Sequence, residues 1–477
     1  MLEKLFQVIG DIIKMQDIDK LLKEVKRIHF IGIGGSGMCP LAEILHKEGY
    51  ELSGSDNNET DNLARIRKLG IPVVMGQKAE NINGAEMIIY TAALLPDNPE
   101  LVAAKNSDIP TFERSKLLGA ITRMYSNAIC ISGTHGKTTS CSMATQILIE
   151  AGKDPTAVIG GKLPLTNSNG LVGHSENMVC ESCEFVDTFL DLTPDIAVIL
   201  NIDEDHLDYF KTLENLKASF TKFAAFTTKV IIYNGDDANT IDAMKPALEE
   251  SKKLGITFGL GKDNNYRAEN IDQKNEYYSF DLIENNINLG RVKLNIPGKH
   301  NIYNALAVIA ATMYSGVSFE DCVKGIADFG GAGRRFEKLA EINGITVLDD
   351  YAHHPLELEV TLNTAMKMGF GKVYAIFQPF TYSRTAMLFD DFVRVLQIPD
   401  QCIMTEIMGS REVNTYNIYT SQLAEKIPGS VWFNSFEEVA KYAVDHAKPG
   451  DAIITLGCGD IYKAAKIVIK MLKGENA

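Results

Sequence analysis

Ile129-Cys130-Ile131-Ser132-Gly133-Thr134-His135-Gly136-Lys137-Thr138-Thr139 is an apolar run that enters a glycine-framed turn and continues into a helical pattern. Strand, turn and helix in that order place the turn at the carboxyl end of a strand in an α/β sheet. Small residues there let backbone N–H groups converge on phosphate oxygens, and Lys137 can reach the terminal phosphates of a nucleoside triphosphate. The Thr138 hydroxyl suits Mg²⁺, and the following helix offers the positive end of its dipole to an anion. ATP is therefore the expected ligand of Gly133, Thr134, His135, Gly136, Lys137, Thr138 and Thr139. The usual loop of this kind has a glycine five residues before Gly136. Here that position is Ile131, so the loop is shorter.

A chain of 477 residues is too long for one ordinary core, and two to four domains are expected. Its 45% hydrophobic and 23% charged content is that of a globular protein rather than a disordered one. The net charge of −15 argues against nucleic acid as the main partner, but not against nucleotides, which local loops and metal ions bind. Of the eight cysteines only Cys180 and Cys183 form a Cys-x-x-Cys pair, with neither a second pair nor suitably spaced histidines. Reduced thiols in a cytoplasmic setting are expected, not a zinc or redox site. Leu2, Leu5, Phe6, Ile9, Ile12 and Ile13 fall at helical spacing, interrupted by acidic residues and followed by no cleavage site. That reads as a packed helix rather than a signal peptide, and no apolar run is long enough to span a bilayer.

Three α/β blocks follow. Arg27–Ile31, Gly49–Ser53, Pro72–Met75 and Met87–Thr91 read as strands of a first parallel sheet separated by helices. Ala128–Ser132, Met178–Glu181, Ile196–Asn201 and Lys229–Asn234 make a second. The polar stretch from Gly255 to Ile296 reads as antiparallel hairpins with a turn at Glu284-Asn285-Asn286. A helix over about Asn301 to Ser315 and the glycine cluster Gly330-Gly331-Ala332-Gly333 close that block. Thr346–Asp349, Val373–Gln378, Cys402–Glu406 and Ala452–Leu456 supply strands of a third.

Gly32-Ile33-Gly34-Gly35-Ser36-Gly37 follows the first strand and has the spacing of a dinucleotide fingerprint, with Asp56 after the second strand where a ribose-binding acid would sit. Such a loop reports a diphosphate at a helix N-terminus, and both a nicotinamide cofactor and a UDP-sugar carry one. Glu181 and the Asp203-Glu204-Asp205-His206 run end neighbouring strands on the side of the 133–138 loop. A carboxylate and the His206 imidazole could there complete a Mg²⁺ shell, although acids after strands also serve as helix caps. His300, Asn301 and Asn304 share one helical turn and could read a base edge or simply cap the helix. Arg334 and Arg335, tethered by glycines, suit a phosphate clamp. Asp349-Asp350-Tyr351-Ala352-His353-His354-Pro355 places two histidines beside two carboxylates at a strand end, and Arg384 follows another strand, able to grip a carboxylate.

In this order and spacing the motifs closely resemble the Mur ligase family from Arg27 onward. The carrying pieces are Gly32 to Met38, Gly133 to Thr139, Asn201 to His206, Pro297 to Asn301 with Asn304, Arg334-Arg335-Phe336, Asp349 to Pro355 and Leu456 to Asp460. The Tyr-Ala-His-His-Pro block and the Gly-Gly-Ser-Gly-Met loop look most like the alanine-adding member. The resemblance implies an α/β fold of three domains. Residues 1–127 would form a Rossmann-like UDP-sugar domain with a helical extension over 1–26. Residues 128–331 would form a central P-loop ATPase-type parallel sheet with added antiparallel strands, and residues 332–477 a Rossmann-like domain for the amino acid. It further implies that Gly32, Gly34, Gly35, Ser36, Gly37 and Met38 hold the UDP-sugar diphosphate. Lys137 would contact the β- and γ-phosphates, with Thr138, Glu181 and His206 on magnesium. His300, Asn301 and Asn304 would face the adenine, Arg335 and Asp350 would reach the nucleotide, and His353 and Arg384 would orient the amino acid and the muramoyl substrate. Two positions depart from the family pattern. Cys183-Glu184 stands where an Asp-Glu pair is common, and Phe380-Thr381 where many members carry His-Arg.

The implied reaction is an ATP-driven ligation in the cytoplasm, in which the lactyl carboxylate of UDP-N-acetylmuramate becomes an acyl phosphate that the amine of L-alanine attacks. It serves peptidoglycan synthesis, by a monomer or weak homodimer with small-molecule substrates, no nucleic acid and no membrane. A ligase adding a preformed peptide shares every ATP motif. A nicotinamide oxidoreductase would account for Gly32–Gly37 and Asp56 but leaves the 133–138 loop unexplained. A silent nucleotide sensor does not need Lys137, Thr138, Glu181 and His206 all intact.

Overall fold

In the computed structural model the described residues are 18–163, 165–166, 168–410 and 412–475. The apolar positions from Leu2 to Ile13 lie outside them. Helix 18–24 is described, with Ile18 and Leu22 buried and Asp19 paired to Arg123 at 2.7 Å.

The chain divides into two units. The first comprises residues up to Asp272 together with 279–295 and 300–330. The second comprises Gly331 onward with the short pieces 273–278 and 296–299. The division at Gly330–Gly331 falls inside the glycine cluster.

The first unit carries two sheets. One is five-stranded and parallel throughout, in the order Val73–Met75, Glu51–Asp56, Arg27–Ile31, Met87–Tyr90, Thr111–Glu113. The order reverses beside Arg27–Ile31, and at such a switch point the loop leaving the strand opens into a crevice. The other sheet has ten strands. Its centre runs Val230–Asn234, Ile196–Ile199, Asn127–Ser132, Asn177–Glu181, all parallel. Ile129, Cys130 and Ile131 are fully buried, as a strand covered on both faces requires. The helix Lys137–Glu150 that follows is buried from Ser140 to Leu148.

Several features differ from the sequence reading, among them the short edge strand Thr111–Glu113 of the first sheet. Thr156–Leu163 and Ser168–Leu171 extend the ten-stranded sheet on the Asn177–Glu181 side, the last one antiparallel. Gly160, Gly161 and Gly170 dilute their apolar signal, and glycine-bearing strands are hard to see in sequence. Leu254–Gly259 is a parallel strand beside Val230–Asn234, not part of a hairpin, because the helix Ala238–Ser251 gives it a crossover. Hairpins begin only at Tyr266, and Asn285 and Asn286 (φ +44° and +71°) make the tight turn between Tyr277–Glu284 and Ile287–Pro297.

The second unit has one six-stranded sheet in the order Glu337–Ile342, Ile345–Asp350, Ala452–Leu456, Val373–Phe377, Gln401–Thr405, Val431–Phe433. All pairings are parallel except the edge strand Glu337–Ile342. That strand and Val431–Phe433 were not visible in the sequence, one being charged and the other only three residues long. Apolar clusters pack both faces, around Phe377 and Phe392 on one side and Ile376 and Ile453 on the other. Among the described residues no helix is long and apolar enough to cross a membrane.

Candidate active site

Gly133 (φ +142°) and Gly136 (φ +85°) turn the backbone between Ser132 and Lys137. A side chain at Gly136 would meet the Asn304 Oδ1 atom at 2.6 Å, so only glycine fits there. The loop is pinned from the neighbouring strand end. Asn201 accepts from the His135 N–H at 2.8 Å and donates to the His135 carbonyl at 3.1 Å. Thr134 N–H donates to the Asn201 carbonyl at 3.0 Å, and the Thr134 hydroxyl accepts from Asp203 N–H at 2.9 Å. Such ties hold the loop's backbone in place before any anion arrives.

The Lys137 ammonium curls back on its own loop, donating to the carbonyls of Gly133 at 2.5 Å and Thr134 at 3.1 Å and to Glu184 Oε1 at 3.0 Å. Burial, the largest influence, lowers its pKa, but the surrounding acidic groups, Glu184 foremost with Cys183 and Glu181, together outweigh it, so the net shift is upward and the ammonium stays charged. The neighbouring Cys183 thiol is pushed up to about 11, chiefly by burial and then by Glu184, and stays neutral.

Thr138 donates to Glu181 Oε1 at 3.0 Å, and Glu181 Oε2 accepts from Gly160 N–H at 2.7 Å. Of the three residues expected on magnesium, these two are in contact. His206 gathers instead with Glu184 and Asp205, their ligand atoms all within 4.8 Å of one another. Carboxylate oxygens with one imidazole suit a hard divalent cation. The buried Glu184 carboxylate already faces the Lys137 ammonium, with Oε2 at 2.9 Å, so a cation bound here would share or replace that ammonium. Two strained turns build the group. Val186 and Asp187 (φ +54° and +60°) and His206 (φ +53°) have left-handed backbones, costly for a β-branched valine. The Phe185 ring packs on His206 at 4.7 Å, and Tyr209 donates to Asp187 at 2.8 Å. The sequence reading left Glu184 outside the site, although it closes the departure from the family pattern, and in the 203–206 run it did not single out Asp205 from a solvated or capping acid.

Asn301 and Asn304 are buried, and Asn304 Nδ2 donates to Asn301 Oδ1 at 2.9 Å. His300 keeps exposed surface. Even so, the protein packed around its imidazole, with His135 next, pushes its pKa down to about 4, so it is neutral.

In the first sheet Gly32 (φ +85°) and Ile33 both donate to the Ser55 carbonyl, and Gly34 N–H donates to Asp56 Oδ2 at 2.9 Å. Asp56 Oδ1 accepts from Asn57 and Asn58 N–H at 2.8 and 3.0 Å. Both Asp56 oxygens thus hold backbone. Gly35 and Gly37 are half-buried, Ser36 is exposed and Met38 is buried.

In the second unit the two arginines separate. Arg334 is locked: it donates to Asp349 at 2.9 Å and to the carbonyls of Gly457 and Gly459, and lies over the Tyr351 and Tyr462 rings. The Arg335 guanidinium rests on Tyr351 at 4.9 Å and makes no hydrogen bond or ion pair among the described residues. Asp350 accepts from Phe336 N–H at 2.6 Å and Ala352 N–H at 2.7 Å, and burial lifts its pKa to about 6 against the pull of Arg335. His353 Nδ1 lies 3.0 Å from the Tyr351 carbonyl, which can only accept, so Nδ1 carries the proton and Nε2 the lone pair. Burial lowers the His353 pKa; Glu357 opposes this and Arg384 adds to it. Arg384 itself donates to the Phe380 carbonyl at 3.1 Å. His354 caps the helix Pro355–Lys367 in a capping box with Glu357. All eight cysteines are free thiols.

Comparison with known proteins places three stretches of the chain in one family, in order. Residues 27–126 match the Mur ligase family catalytic domain, 131–312 the Mur ligase middle domain, and 334–459 the Mur ligase glutamate ligase domain. The chain is 41% identical to the UDP-N-acetylmuramate–L-alanine ligase of Clostridium botulinum strain Langeland, over 94% of this chain and 98% of that one. It is 42% identical to the ligase of the same name from Caldicellulosiruptor bescii, over 94% and 99%. Among solved structures the UDP-N-acetylmuramate–alanine ligase of Thermotoga maritima superposes with a TM-score of 0.80 at 28% identity, covering 94% of this chain and 99% of that one.

Proposed function

The chain belongs to the Mur ligase family, and from that premise we propose that it joins L-alanine to the lactyl carboxylate of UDP-N-acetylmuramate in an ATP-dependent, cytoplasmic step of peptidoglycan synthesis. The observation that carries this reading is the 41–42% identity, spread over 94% of the chain, to enzymes named for that reaction.

A carboxylate and an amine do not condense in water, because the carboxylate resists attack and hydroxide leaves poorly. Transfer of the γ-phosphoryl group of ATP to the lactyl carboxylate forms an acyl phosphate and releases ADP. The alanine amine then adds to the carbonyl carbon, and the tetrahedral intermediate expels phosphate to leave the amide. Positioning and charge stabilisation account for most of the protein's contribution to phosphoryl transfer.

In this reading Gly133–Thr139 cradle the ATP phosphates, with Lys137 on the β- and γ-phosphates. His300, Asn301 and Asn304 face the adenine, Asn304 also crowds the turn at Gly136, and the neutral His300 adds no cation there. Thr138 with Glu181, and Glu184 with Asp205 and His206, would hold Mg²⁺, which when bound neutralises charge on the transferred phosphoryl group. Gly32–Met38 receive the UDP diphosphate, and Asp56 fixes the shape of that loop. Arg335 reaches the nucleotide from a platform set by Asp350 and Tyr351. His353 Nε2 accepts a proton from the incoming ammonium, and Arg384 grips a carboxylate of the acceptor. We assign residues 1–127 to the UDP-sugar, 128–331 to ATP and 332–477 to the amine.

The test is to incubate the protein with ATP, Mg²⁺ and UDP-N-acetylmuramate, vary the amino acid or peptide, and follow phosphate release and product mass. L-alanine should give the amide, and Lys137→Ala should abolish it with UDP-sugar binding nearly intact. Ligation by that variant near the parent rate would sink the loop assignment. Product with a peptide and none with alanine would move the chain to the peptide-adding class.

A further inference from the structure

Three acceptors already take up the donors of the Lys137 ammonium, two of them carbonyls of its own loop and the third the carboxylate of Glu184. Lys137 cannot meet incoming phosphates without giving up at least one. Glu184 is the costly one to leave, being 1% exposed, with both oxygens facing the ammonium, Oε1 at 3.0 Å and Oε2 at 2.9 Å. A buried carboxylate stripped of its counter-charge beside a polyphosphate is strongly disfavoured.

The same carboxylate also faces a second set of groups. Its oxygen and the ligand atoms of Asp205 and His206 lie within 4.8 Å of one another, held by the Phe185–His206 and Asp187–Tyr209 contacts between the two strained turns. Glu184 therefore stands between an ammonium that the reaction must move and a place where a divalent cation can replace it.

We propose that Glu184 is a positioning residue that exchanges Lys137 for a divalent cation shared with Asp205 and His206, and so frees the ammonium for the terminal phosphates. The proposal rests on the reading of the 133–138 loop as the ATP site. It makes cation binding and Lys137 release two sides of one exchange. By linkage, removing one of the two competitors for Glu184 must strengthen its hold on the other.

Two measurements on the full chain test it, neither using turnover. First, Mn²⁺ alone is titrated into nucleotide-free protein and free Mn²⁺ is read by electron paramagnetic resonance. Lys137→Met releases Glu184 and should raise Mn²⁺ affinity roughly tenfold, which corresponds to about 1.4 kcal/mol. The double variant Lys137→Met, Glu184→Gln should lose that gain. Second, a non-hydrolysable ATP analogue is titrated calorimetrically in chelator and in excess Mg²⁺. Glu184→Gln should bind it roughly tenfold more tightly than the parent in chelator, with a smaller strengthening by Mg²⁺. Glu184→Asp, which keeps the charge, should restore most of the Mg²⁺ dependence, and thermal melting checks that each variant folds. Unchanged Mn²⁺ affinity in Lys137→Met together with parent-like analogue binding by Glu184→Gln would overturn the proposal alone. No analogue binding by the parent protein in either buffer would overturn the reading of the loop, and the proposal with it.

Discussion

The side-chain amide of Asn201 grips the peptide of His135 on both sides, accepting from its N–H at 2.8 Å and donating to its carbonyl at 3.1 Å. One residue at the end of the strand Ile196–Ile199 thereby fixes the middle of the loop that leaves the strand Asn127–Ser132. Asn201→Ala leaves both groups without that partner. The expected result is about 1–3 kcal/mol lost from thermal stability and weaker nucleotide binding. Asn201→Asp can still accept but not donate, so it should fall between the two in calorimetric titration with ADP.

Gly136→Ala should remove nucleotide binding almost entirely. Its backbone at φ +85° is one that L side chains rarely adopt, and the new methyl would lie 2.6 Å from Asn304 Oδ1. Asn304→Ala takes away that second obstacle and not the first. The double variant should therefore recover only part of the affinity lost. Full recovery would mean that crowding, not backbone conformation, demands glycine here.

The ATP loop was legible in the sequence because its chemistry is local: Gly133, Gly136, Lys137 and Thr138 lie within six consecutive positions, and the apolar strand before them announces the sheet. The alternating helix and strand blocks were legible for the same reason. Glu184 and Asp205 were not, because they come from two loops that meet only through left-handed turns at Val186, Asp187 and His206, and nothing in a valine codon suggests φ +54°. Asp56 illustrates the converse. Its position after the second strand suggested a ribose ligand, yet its carboxylate holds the N–H groups of Gly34, Asn57 and Asn58. Spacing pointed to Asp56 as a ligand, and it carries no signal of the backbone bracing that the folded chain adds.

Adjacent in sequence, Arg334 and Arg335 should behave differently. Arg334 is bonded to Asp349, Gly457 and Gly459 and packed between two tyrosine rings. Arg334→Ala should cost about 2–4 kcal/mol in denaturant unfolding, because it strips a nearly buried carboxylate of its partner. Arg335, whose guanidinium rests on Tyr351 and makes no hydrogen bond or ion pair among the described residues, acts on the buried Asp350 only through its charge and should cost about 1 kcal/mol or less when changed to alanine. Its loss should appear in ligation, as a fall of roughly tenfold or more in kcat/KM for ATP.

The acid side of the ligation pH profile should be set by His353. Burial, the largest influence, lowers its pKa below the ordinary 6.5, Glu357 opposes and Arg384 reinforces, and the net shift is downward. A histidine lowered in this way stays neutral as the pH falls through 6.5 and takes up its proton only below it. With Nδ1–H held by the Tyr351 carbonyl, the free lone pair is on Nε2. If that atom accepts the proton of the alanine ammonium, kcat should hold through pH 6.5 and decline at lower pH. Glu357→Gln removes the group that favours the charged ring, so it should move the decline to still lower pH. His353→Gln should slow the reaction by roughly 10²-fold or more and abolish the limb. A profile whose acid limb is unchanged in His353→Gln would assign the proton to another acceptor, such as the departing phosphate.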